Sequence, residues 1–421
     1  MMKKSLLIKI VAVLTIIATA LTVAACTKSP AEQNGAIDLL REINVDRVRA
    51  ETPTKDTTET LTNAFLSLFR ATIPEENKST LVSPLSIILA LGMTADGTAG
   101  NTRAQFEELF GMTTEQLDEA MAYLTFRLSD TGSKNVKFNS ANSLWLAQSG
   151  VKFKTSYLER VKAAYDPSVY SVDFSDPATV DAINGWVNEN TDKMIEKIIE
   201  YDDVDAATVA ALVNALVFDA EWAQKFERVT SGTFLSYAEK EQSVEMMYSP
   251  EAKYIEGDNF TGFKKDYDGG KFSFVALLPD EKTDIFDFAR RLDGKAIYEI
   301  ISSDTGDAAH IGLPKFTFDF DADLIPALVS LGLVDVFGGG ADFTELAECQ
   351  VGDIYVDKAI HKTHIEVDES GTKAAAATYI GTRKNAVMYE HEVILDRPFF
   401  YMIVDNESSL PIFMGVLTEI K

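Results

Sequence analysis

The most informative part of the sequence is IEVDESGTKAAAATYI, residues 365–380. Gly371 permits a backbone that bends or changes conformation, and the residues that follow it as far as Thr378 are small, apart from Lys373. As a strand, the stretch would turn alternate small side chains to one face, namely Thr372, Ala374, Ala376 and Thr378. Lys373 would lie on the other face, which can stay exposed to solvent. Composition alone favours a helix instead, because four consecutive alanines have high helix propensity.

The rest of the chain mixes helical and strand periods. Apolar side chains recur at helical spacing in residues 61–69 and 183–198, whereas residues 272–278 and 399–404 are short apolar runs typical of buried strands. This mixture predicts an α+β fold rather than a regular βαβ array. No linker rich in Pro, Ser or Gly divides the chain after about residue 57, so we expect a single domain over residues 57–421.

Charge and cysteine content exclude several classes of protein. The net charge of −26 opposes nucleic-acid binding, because phosphate neutralisation requires a basic patch. The chain has two cysteines, Cys26 and Cys349, and the sequence predicts different fates for them, so neither a disulfide nor a cysteine-ligated metal site is expected. For Cys349 we favour a buried apolar role over a reactive thiol.

Sequence signatures of catalysis are missing. The chain contains no Gly-x-Ser-x-Gly, no His-Glu-x-x-His and no Gly-x-x-x-x-Gly-Lys motif. His361 and His364 stand three apart in an extended segment, where they would point to opposite faces and could not share a metal ion. We therefore expect no catalytic residues, no cofactor and no metal, and the protein is not expected to be an enzyme.

The N-terminus has the features of a targeting signal. Residues 1–25 have a basic head and an apolar stretch, as in a secretory signal, and Val23, Ala24 and Ala25 before Cys26 resemble the bacterial lipobox. This predicts lipid on Cys26 and a membrane-anchored, extracytoplasmic lipoprotein at the bacterial cell surface. A plain signal peptide and a retained membrane anchor are the alternatives. Residues 26–56 are expected to form a flexible tether, with 37–48 either a short amphipathic helix or a frayed linker.

The stretch from His361 to Thr378 resembles the hinge of the reactive loop in serpins, a family of serine protease inhibitors. The shared features are an acidic residue before Gly371, the Gly-Thr pair and the alanine run. This resemblance favours the strand over the helix, since inhibitory serpins insert the hinge into a sheet. The implied hinge residues are Glu369, Gly371, Thr372, Ala374, Ala375, Ala376, Ala377 and Thr378.

The resemblance covers residues 57–421 and rests on several motifs in family order. They are SPLSI at 83–87, GTAGNT at 97–102, NSLW at 142–145, INGWV at 183–187, NALVF at 214–218, LPKF at 313–316, DRPF at 396–399 and FMG at 413–415. Together they identify the chain as similar to bacterial, inhibitory-type serpins in lipoprotein form. The fold that this implies has three β-sheets surrounded by about eight or nine helices, with an exposed reactive loop at about residues 369–392.

The resemblance also implies a mechanism. A serine protease cleaves the loop, forms a covalent acyl complex, and is trapped when the loop inserts into the central sheet; a cysteine protease is a further target class. The inhibitor is expected to be a monomer. The region where the sheet opens would consist of Ser83, Ser86, Asn214, Trp222 and His361.

Family spacing places the cleaved bond between Asn385 and Ala386. The loop is a residue or two longer than is common, so neighbouring bonds remain candidates for cleavage. Arg383 or Lys384 would suit a trypsin-like pocket, whereas Ala386, Val387 or Met388 would suit an elastase-like or subtilisin-like one.

Three rival interpretations stand beside this one. A non-inhibitory serpin would be cleaved without trapping and would serve as a binding module. An extracytoplasmic solute-binding lipoprotein would show βαβ alternation and two lobes. The third rival is a secreted hydrolase.

Overall fold

The computed structural model describes residues 34–74, 76, 78–148, 151–204, 208–303, 307–372 and 390–420. The predictions for Cys26, for the hinge from Ala374 to Thr378 and for the cleaved bond at 383–388 lie outside the described residues. The described helices are α1 (Lys55–Thr72), α2 (Pro84–Asp96), α3 (Gly100–Phe110), α4 (Thr114–Ser129), α5 (Thr155–Tyr165), α6 (Ala178–Asn190), α7 (Ile285–Arg291), α8 (Gly294–Ser302) and α9 (Ile325–Ser330).

Sixteen strands lie in the same ranges and form two sheets. They are β1 (Ile37–Asp38), β2 (Thr80–Val82), β3 (Val136–Ala147), β4 (Ser168–Val172), β5 (Ala210–Glu221), β6 (Arg228–Leu235), β7 (Glu241–Gly257), β8 (Phe260–Asp266), β9 (Phe272–Pro279), β10 (Ala308–Pro314), β11 (Phe316–Asp323), β12 (Lys358–Val367), β13 (Gly371–Thr372), β14 (His391–Ile394), β15 (Phe399–Asp405) and β16 (Leu410–Leu417). The α+β prediction is confirmed.

The seven-stranded sheet has the order β1-β4-β3-β5-β13-β12-β11. The nine-stranded sheet follows the path β14-β10-β7-β8-β9-β15-β16-β2, with β6 paired to β7. Strand β7 pairs with β6 along residues 241–248 and with β8 along residues 253–257, so it belongs to two halves of this sheet. Two of the three expected sheets are therefore joined into one through β7.

Helix α2 lies between the two sheets, where it packs against β3, β5 and β16. All of its residues are buried, as a helix that is apolar on every side requires. Ser83 caps its N-terminus by accepting a hydrogen bond from the amide of Ser86 at 3.3 Å. Pro84 follows in the first turn, where no amide donor is needed. The cap fixes Ser83 and Ser86 beneath the seven-stranded sheet.

Helix α6 covers the opposite face of that sheet. Its Trp186 packs edge-on against Trp145 of β3, with ring centroids 6.3 Å apart. The helix ends at Asn190, because Asp192 and Lys193 have φ values of 49° and 66°, which a right-handed helix cannot continue. The helical spacing expected to reach residue 198 therefore stops short, and residues 194–198 belong to a non-helical segment.

The expectation of a flexible tether over residues 26–56 is wrong for its described part. Ile37–Asp38 forms β1 on the edge of β4, and Leu40 is buried with 5% of its surface exposed. The ammonium of Lys162 donates hydrogen bonds to the carbonyls of Leu40 and Ile43 at 2.9 and 2.5 Å. Neither a helix nor a frayed linker is formed, because these contacts hold a short strand and the turns after it on the domain surface.

The solute-binding interpretation fails on topology. The described residues contain one βαβ unit, β3-α5-β4, rather than a repeated array. Most of the remaining strand pairs are antiparallel, the exceptions being β5 with β12 and β10 with β14.

Candidate functional site

Strands β5 and β12 are paired at one end of the seven-stranded sheet and separated at the other. Their direct parallel pairing joins residues 211–215 to residues 358–362. Farther along, Thr372 of β13 lies between them, opposite Ala220 on one side and Val367 on the other. Since neighbouring strands lie about 4.8 Å apart, β13 holds β5 and β12 about 10 Å apart at this row. The sheet is closed at one end and open at the end that receives β13.

Four rows lie between the closed part and β13. They contain residues 216–219 of β5 and residues 363–366 of β12, and no described strand lies between them. We call these four rows the slot. Its length is set by the register, because both flanking strands are fixed on their outer sides by β3 and β11.

The first hinge residues occupy the sheet in a way that only a small side chain permits. A Cβ added to Gly371 would lie 2.0 Å from the carbonyl oxygen of Ala220, so only glycine fits this close approach. Thr372 is buried, as is its neighbour Val367. Both side chains face the core, which is the face that alternation predicts for Thr372.

A tight turn joins β12 to β13. The amide of Asp368 donates to the carbonyl of Gly371 at 3.0 Å, and one carboxylate oxygen of Asp368 accepts from the amides of Ser370 and Gly371 at 2.7 and 3.0 Å. Aspartate closes such turns because its short side chain reaches backbone amides two and three residues ahead. The turn reverses the chain and leads it back between β12 and β5.

Trp222 fastens this turn to the end of β5. Its indole donates to the carbonyl of Asp368 at 2.9 Å, and its amide donates to the carbonyl of Ser370 at the same distance. The amide of Phe226 donates to the carbonyl of Glu369 at 3.0 Å. Trp222 thus lies at the open end of the sheet, where the family resemblance places it.

Tyr267 is a hinge contact that sequence reasoning missed. Its ring stacks on Trp222 with centroids 4.5 Å apart, and its buried hydroxyl shares a 2.6 Å hydrogen bond with the hydroxyl of Thr372. Burial raises the pKa of Tyr267 well above its usual range, so the phenol stays neutral. No local motif signals this contact, because the two residues are 105 positions apart in the chain.

Glu369 is paired with Lys315, whose ammonium lies 2.7 Å from its carboxylate. Burial acts to raise the pKa of Glu369, but the hydrogen bonds from Lys315 and from its own backbone amide hold that pKa below its usual range. The pair connects the turn before β13 to the junction of β10 and β11.

A polar cluster lies under the closed part of the sheet. The hydroxyl of Ser86 donates to Oδ1 of Asn214, and Nδ2 of Asn214 donates to the carbonyl of Ser86 at 2.7 Å and to Oδ1 of Asn142. Ser83 donates to the carbonyl of Ile412 at 2.8 Å, which ties α2 to β16. The structure thus brings Ser83, Ser86 and Asn214 together and adds Asn142. The sequence showed Asn142 only as part of a motif.

His361 completes this cluster from β12, in the row of Asn214. Its Nε2 accepts the amide of Ser83 at 3.1 Å, and burial lowers the pKa of His361 to about 3, so the ring is neutral. Its Nδ1 has no hydrogen-bond partner among the described residues. His364 lies on the opposite, solvent-facing side and contacts Asp319 at 2.7 Å, as alternation requires.

The described residues offer little else for chemistry. In them, no group of three or more His, Cys, Asp or Glu side chains could hold a metal ion. Cys349 is half-buried, and burial raises the pKa of its thiol, which opposes a reactive thiolate. No helix in the described ranges is both long and apolar enough to cross a membrane.

The first hinge residues thus lie between β5 and β12 at one end of the sheet, and a buried polar cluster lies where these strands pair directly. The family model for serpins, described as serine protease inhibitors, matches residues 59–420. The chain belongs to the serpin family.

Individual relatives agree with this assignment. Neuroserpin from Homo sapiens is 31% identical over 361 residues, which cover 82% of this chain and 87% of neuroserpin. Leukocyte elastase inhibitor from Sus scrofa is 31% identical over 374 residues, which cover 85% and 98% of the two chains. The crystal structure of tengpin, a thermophilic serpin, in the native state superposes with a TM-score of 0.85 at 32% identity and covers 91% of this chain and all of tengpin. Relatives named as protease inhibitors, such as leukocyte elastase inhibitor, are thus among the proteins similar to this chain.

Proposed function

We propose that the protein is a suicide-substrate inhibitor of serine proteases, held at the outer surface of a bacterial membrane by lipid on Cys26. The observation that carries the proposal is β13. Gly371 and Thr372 already form a strand between β5 and β12, next to a slot that more of the loop can fill. The reactive loop follows directly after Thr372 in the chain.

The chemistry belongs to the protease. Its serine oxygen attacks the carbonyl carbon of the residue before the cleaved bond, which is Asn385 by family spacing, and its histidine takes the serine proton. The C–N bond breaks, the proton passes to the new amine of Ala386, and an ester joins Asn385 to the protease. The C-terminal part, which contains β14 to β16, stays bound in the nine-stranded sheet. The inhibitor supplies only the loop and the sheet.

Continuation of the β13 register defines where an inserted loop would lie. Thr372 lies opposite Ala220 and Val367, so each further residue moves one row along both neighbours. The residues from 373 to 376 would fill the slot. Residue 377 would reach the first direct pair of β5 and β12, Ala215 with Lys362, and later residues would separate the strands row by row. The two neighbours give one consistent register, because both place residue 377 at this pair.

The polar cluster makes that separation possible. Residue 378 would arrive at the row of Asn214 and His361, whose side chains lie over Ser83 and Ser86. Thr378 carries a hydroxyl that can pair with these groups, including the unpartnered Nδ1 of His361. Buried polar groups that exchange partners avoid the penalty of 1–3 kcal/mol for an unsatisfied group.

The free energy for trapping comes from the new strand. An inserted segment gains on the order of ten backbone hydrogen bonds, each worth about 1 kcal/mol net, which gives roughly 10 kcal/mol before side-chain packing. The inward side chains, Thr372, Ala374, Ala376 and Thr378, are small enough to enter between strands whose inner faces are already buried. This run of small residues favours an inhibitory serpin over the non-inhibitory alternative.

Denaturing gels test the proposal. The chain is mixed with a trypsin-like and with an elastase-like serine protease, and a band of summed mass that survives denaturation is expected with one of them. Mass spectrometry of the released C-terminal peptide then identifies the cleaved bond among residues 383–388. Cleavage of that bond without a covalent band for either protease, at any molar ratio, would contradict the proposal of an inhibitor.

A further inference from the structure

The N-terminal segment is attached to the end of the seven-stranded sheet that lies far from the hinge. Ile37 of β1 pairs with Ser171 of β4, which lies in the row of Leu146 of β3 and Ala210 of β5. The first hinge residue, Gly371, lies in the row of Glu221. Eleven residues of β5 separate these two rows, which corresponds to about 36 Å along the sheet.

The chain direction carries the preceding residues still farther from the hinge. Asp38 pairs in the row of Ala211 and Ile37 in the row of Ala210, so each step toward the N-terminus moves away from Glu221. Strand β1 therefore enters the sheet from its far end, and residues 34 and 35 form a turn just before it.

The attachment is held by contacts along residues 37–48. The amide of Leu39 donates to the carbonyl of Val169 at 2.9 Å, and the amide of Val48 donates to the carbonyl of Ala163 at 3.0 Å. Arg47 forms an ion pair with Asp166 at the end of α5. Together with buried Leu40 and its hydrogen bond from Lys162, these contacts fix residues 37–48 to the far end of the domain.

We propose that the membrane-anchored protein stands with its hinge end away from the lipid, so that the loop insertion of the proposed function carries the trapped protease toward the membrane. This inference rests on the proposed function. Only eight residue-to-residue steps lead from Cys26 to Asn34, and they span at most about 28 Å when extended. The far end of the sheet is thus kept near the bilayer, while the uncleaved loop faces the solution and an incoming protease.

The register of β13 shows where a trapped protease would lie after loop insertion. An inserted strand that keeps the β13 register brings residue 382 to the row of Ala210, which is also the row of Ile37. The acylated residue, Asn385 by family spacing, then lies past this row on the side of the N-terminal segment. Four strand spacings, about 19 Å, separate it laterally from β1.

The gap between the far end of the sheet and the bilayer is smaller than the protease. A serine protease of about 220 residues is roughly 40 Å across, which exceeds the reach of the eight-residue connection. The trapped protease is therefore pressed against the lipid headgroups beside the anchor. Lengthening the connection relieves this contact.

The orientation can be measured without any protease. Lys134 and Gln148 are exposed residues at the two ends of β3, Lys134 beside the hinge and Gln148 at the far end. Each residue is replaced by cysteine, one at a time, in lipidated full-length protein that carries Cys349→Ala, and the new cysteine is labelled with a fluorophore. The labelled protein is then bound to phosphatidylcholine vesicles that contain a quencher on their headgroups. At least twofold stronger quenching at residue 148 than at residue 134 is expected. Equal quenching, or the reverse, would overturn the orientation; unmodified Cys349→Ala protein controls for stray labelling.

The movement is measured with a labelled protease on the same vesicles. A protease that lacks its catalytic serine binds the loop without cleavage and reports the starting position; the active protease reports the trapped one. Quenching is expected to rise at least twofold in the covalent complex and to fall again when twenty Gly and Ser residues are inserted after Ser29. A covalent complex without increased quenching would refute the movement alone. Failure to form any complex would instead refute the proposed function, while the labels at residues 134 and 148 would still decide the orientation.

Discussion

The two sheets of this molecule differ in how completely their inner strands are paired. In the nine-stranded sheet, β9, β15 and β16 are buried along their whole length, and β15 is paired on both sides. In the seven-stranded sheet, β5 and β12 are joined directly for only five rows before the slot begins. The described strands of the first sheet leave no gap between β9, β15 and β16, whereas the second sheet contains the slot between β5 and β12.

This difference teaches where the free energy for inhibition resides. A fully paired sheet is at its minimum, and its strands serve as a fixed frame for the C-terminal part of the chain. Trp222, Tyr267 and Asp368 fasten β13 and the turn before it at the end of the slot near Glu221. On the proposed function, an inserted loop that fills the slot would release hydrogen-bonding and packing energy.

The largest expected effect comes from a charge in the inward face of the inserting strand. Thr372→Arg places a guanidinium where Thr372 is now buried, at a cost of several kcal/mol. We expect the variant to be cleaved as a substrate, with at least a tenfold rise in the number of inhibitor molecules consumed per protease. Glu366→Arg, on the outward face of β12, is the matched control and should trap normally. Equal trapping by wild type and Thr372→Arg on denaturing gels would break the insertion account.

The second effect is an acid sensitivity centred on His361. Its pKa is about 3 when folded, below the usual value near 6.5, so the unfolded state binds the proton more readily. Stability from the neutral ring is present above about pH 6.5 and is lost as the pH falls toward 3, by about 1.4 kcal/mol per pH unit at the steepest. In urea unfolding between pH 7 and 4, the difference in the free energy of unfolding between wild type and His361→Asn should change with this slope. A flat difference would contradict the burial of a neutral ring.

A third, smaller effect concerns the hinge contact of Tyr267. Tyr267→Phe leaves the hydroxyl of Thr372 buried without its partner, which should cost about 1–2 kcal/mol and loosen β13. Hydrogen exchange at the amides of residues 371 and 372 should speed up accordingly. The double variant Tyr267→Phe/Thr372→Val removes both hydroxyls and should recover most of the loss. Additive losses in that double variant would show that the two side chains do not interact.

The smallest effect on trapping is expected from a buried acid pair in the helices. Burial and then the nearby carboxylate of Asp118 raise the pKa of Asp96 to about 8, from 3.8, although Arg160 lies 3.6 Å away. The folded state holds this proton more tightly, so the free energy of unfolding should fall as the pH rises from about 4 to 8. Asp96→Asn should remove that part of the slope, measured by urea unfolding, and leave trapping unchanged. Impaired trapping by this variant would mean that the helical layer and the slot are not independent.

The hinge could be anticipated from sequence because it is a local pattern. Glycine, small residues and strand alternation predict which side of the chain faces the core, and Thr372 lies on that side. The family resemblance was still needed, because the same alanines favour a helix when their long-range partner strands are unknown. Likewise, the cap and first turn of helix α2 are local features, since Ser83 and Pro84 are adjacent in the SPLSI motif.

The contacts that hold the hinge could not be anticipated. Tyr267 and Asn142 meet their partners 105 and 72 positions away in the chain, and no spacing rule reaches that far. The supposed tether at residues 37–48 was misjudged for a related reason. Its polar composition suggests disorder, whereas backbone hydrogen bonds to α5 and β4, a single buried leucine and one lysine suffice to fasten it.

The most direct test of the central claim is the melting temperature before and after a single cut between residues 383 and 388, made by a protease that is then removed. If the freed loop fills the slot and lengthens the sheet, melting should rise by about 10 °C or more, and Thr372→Arg should cancel most of the rise. An unchanged or lower melting temperature for the cut wild-type chain would contradict loop insertion as the source of inhibition.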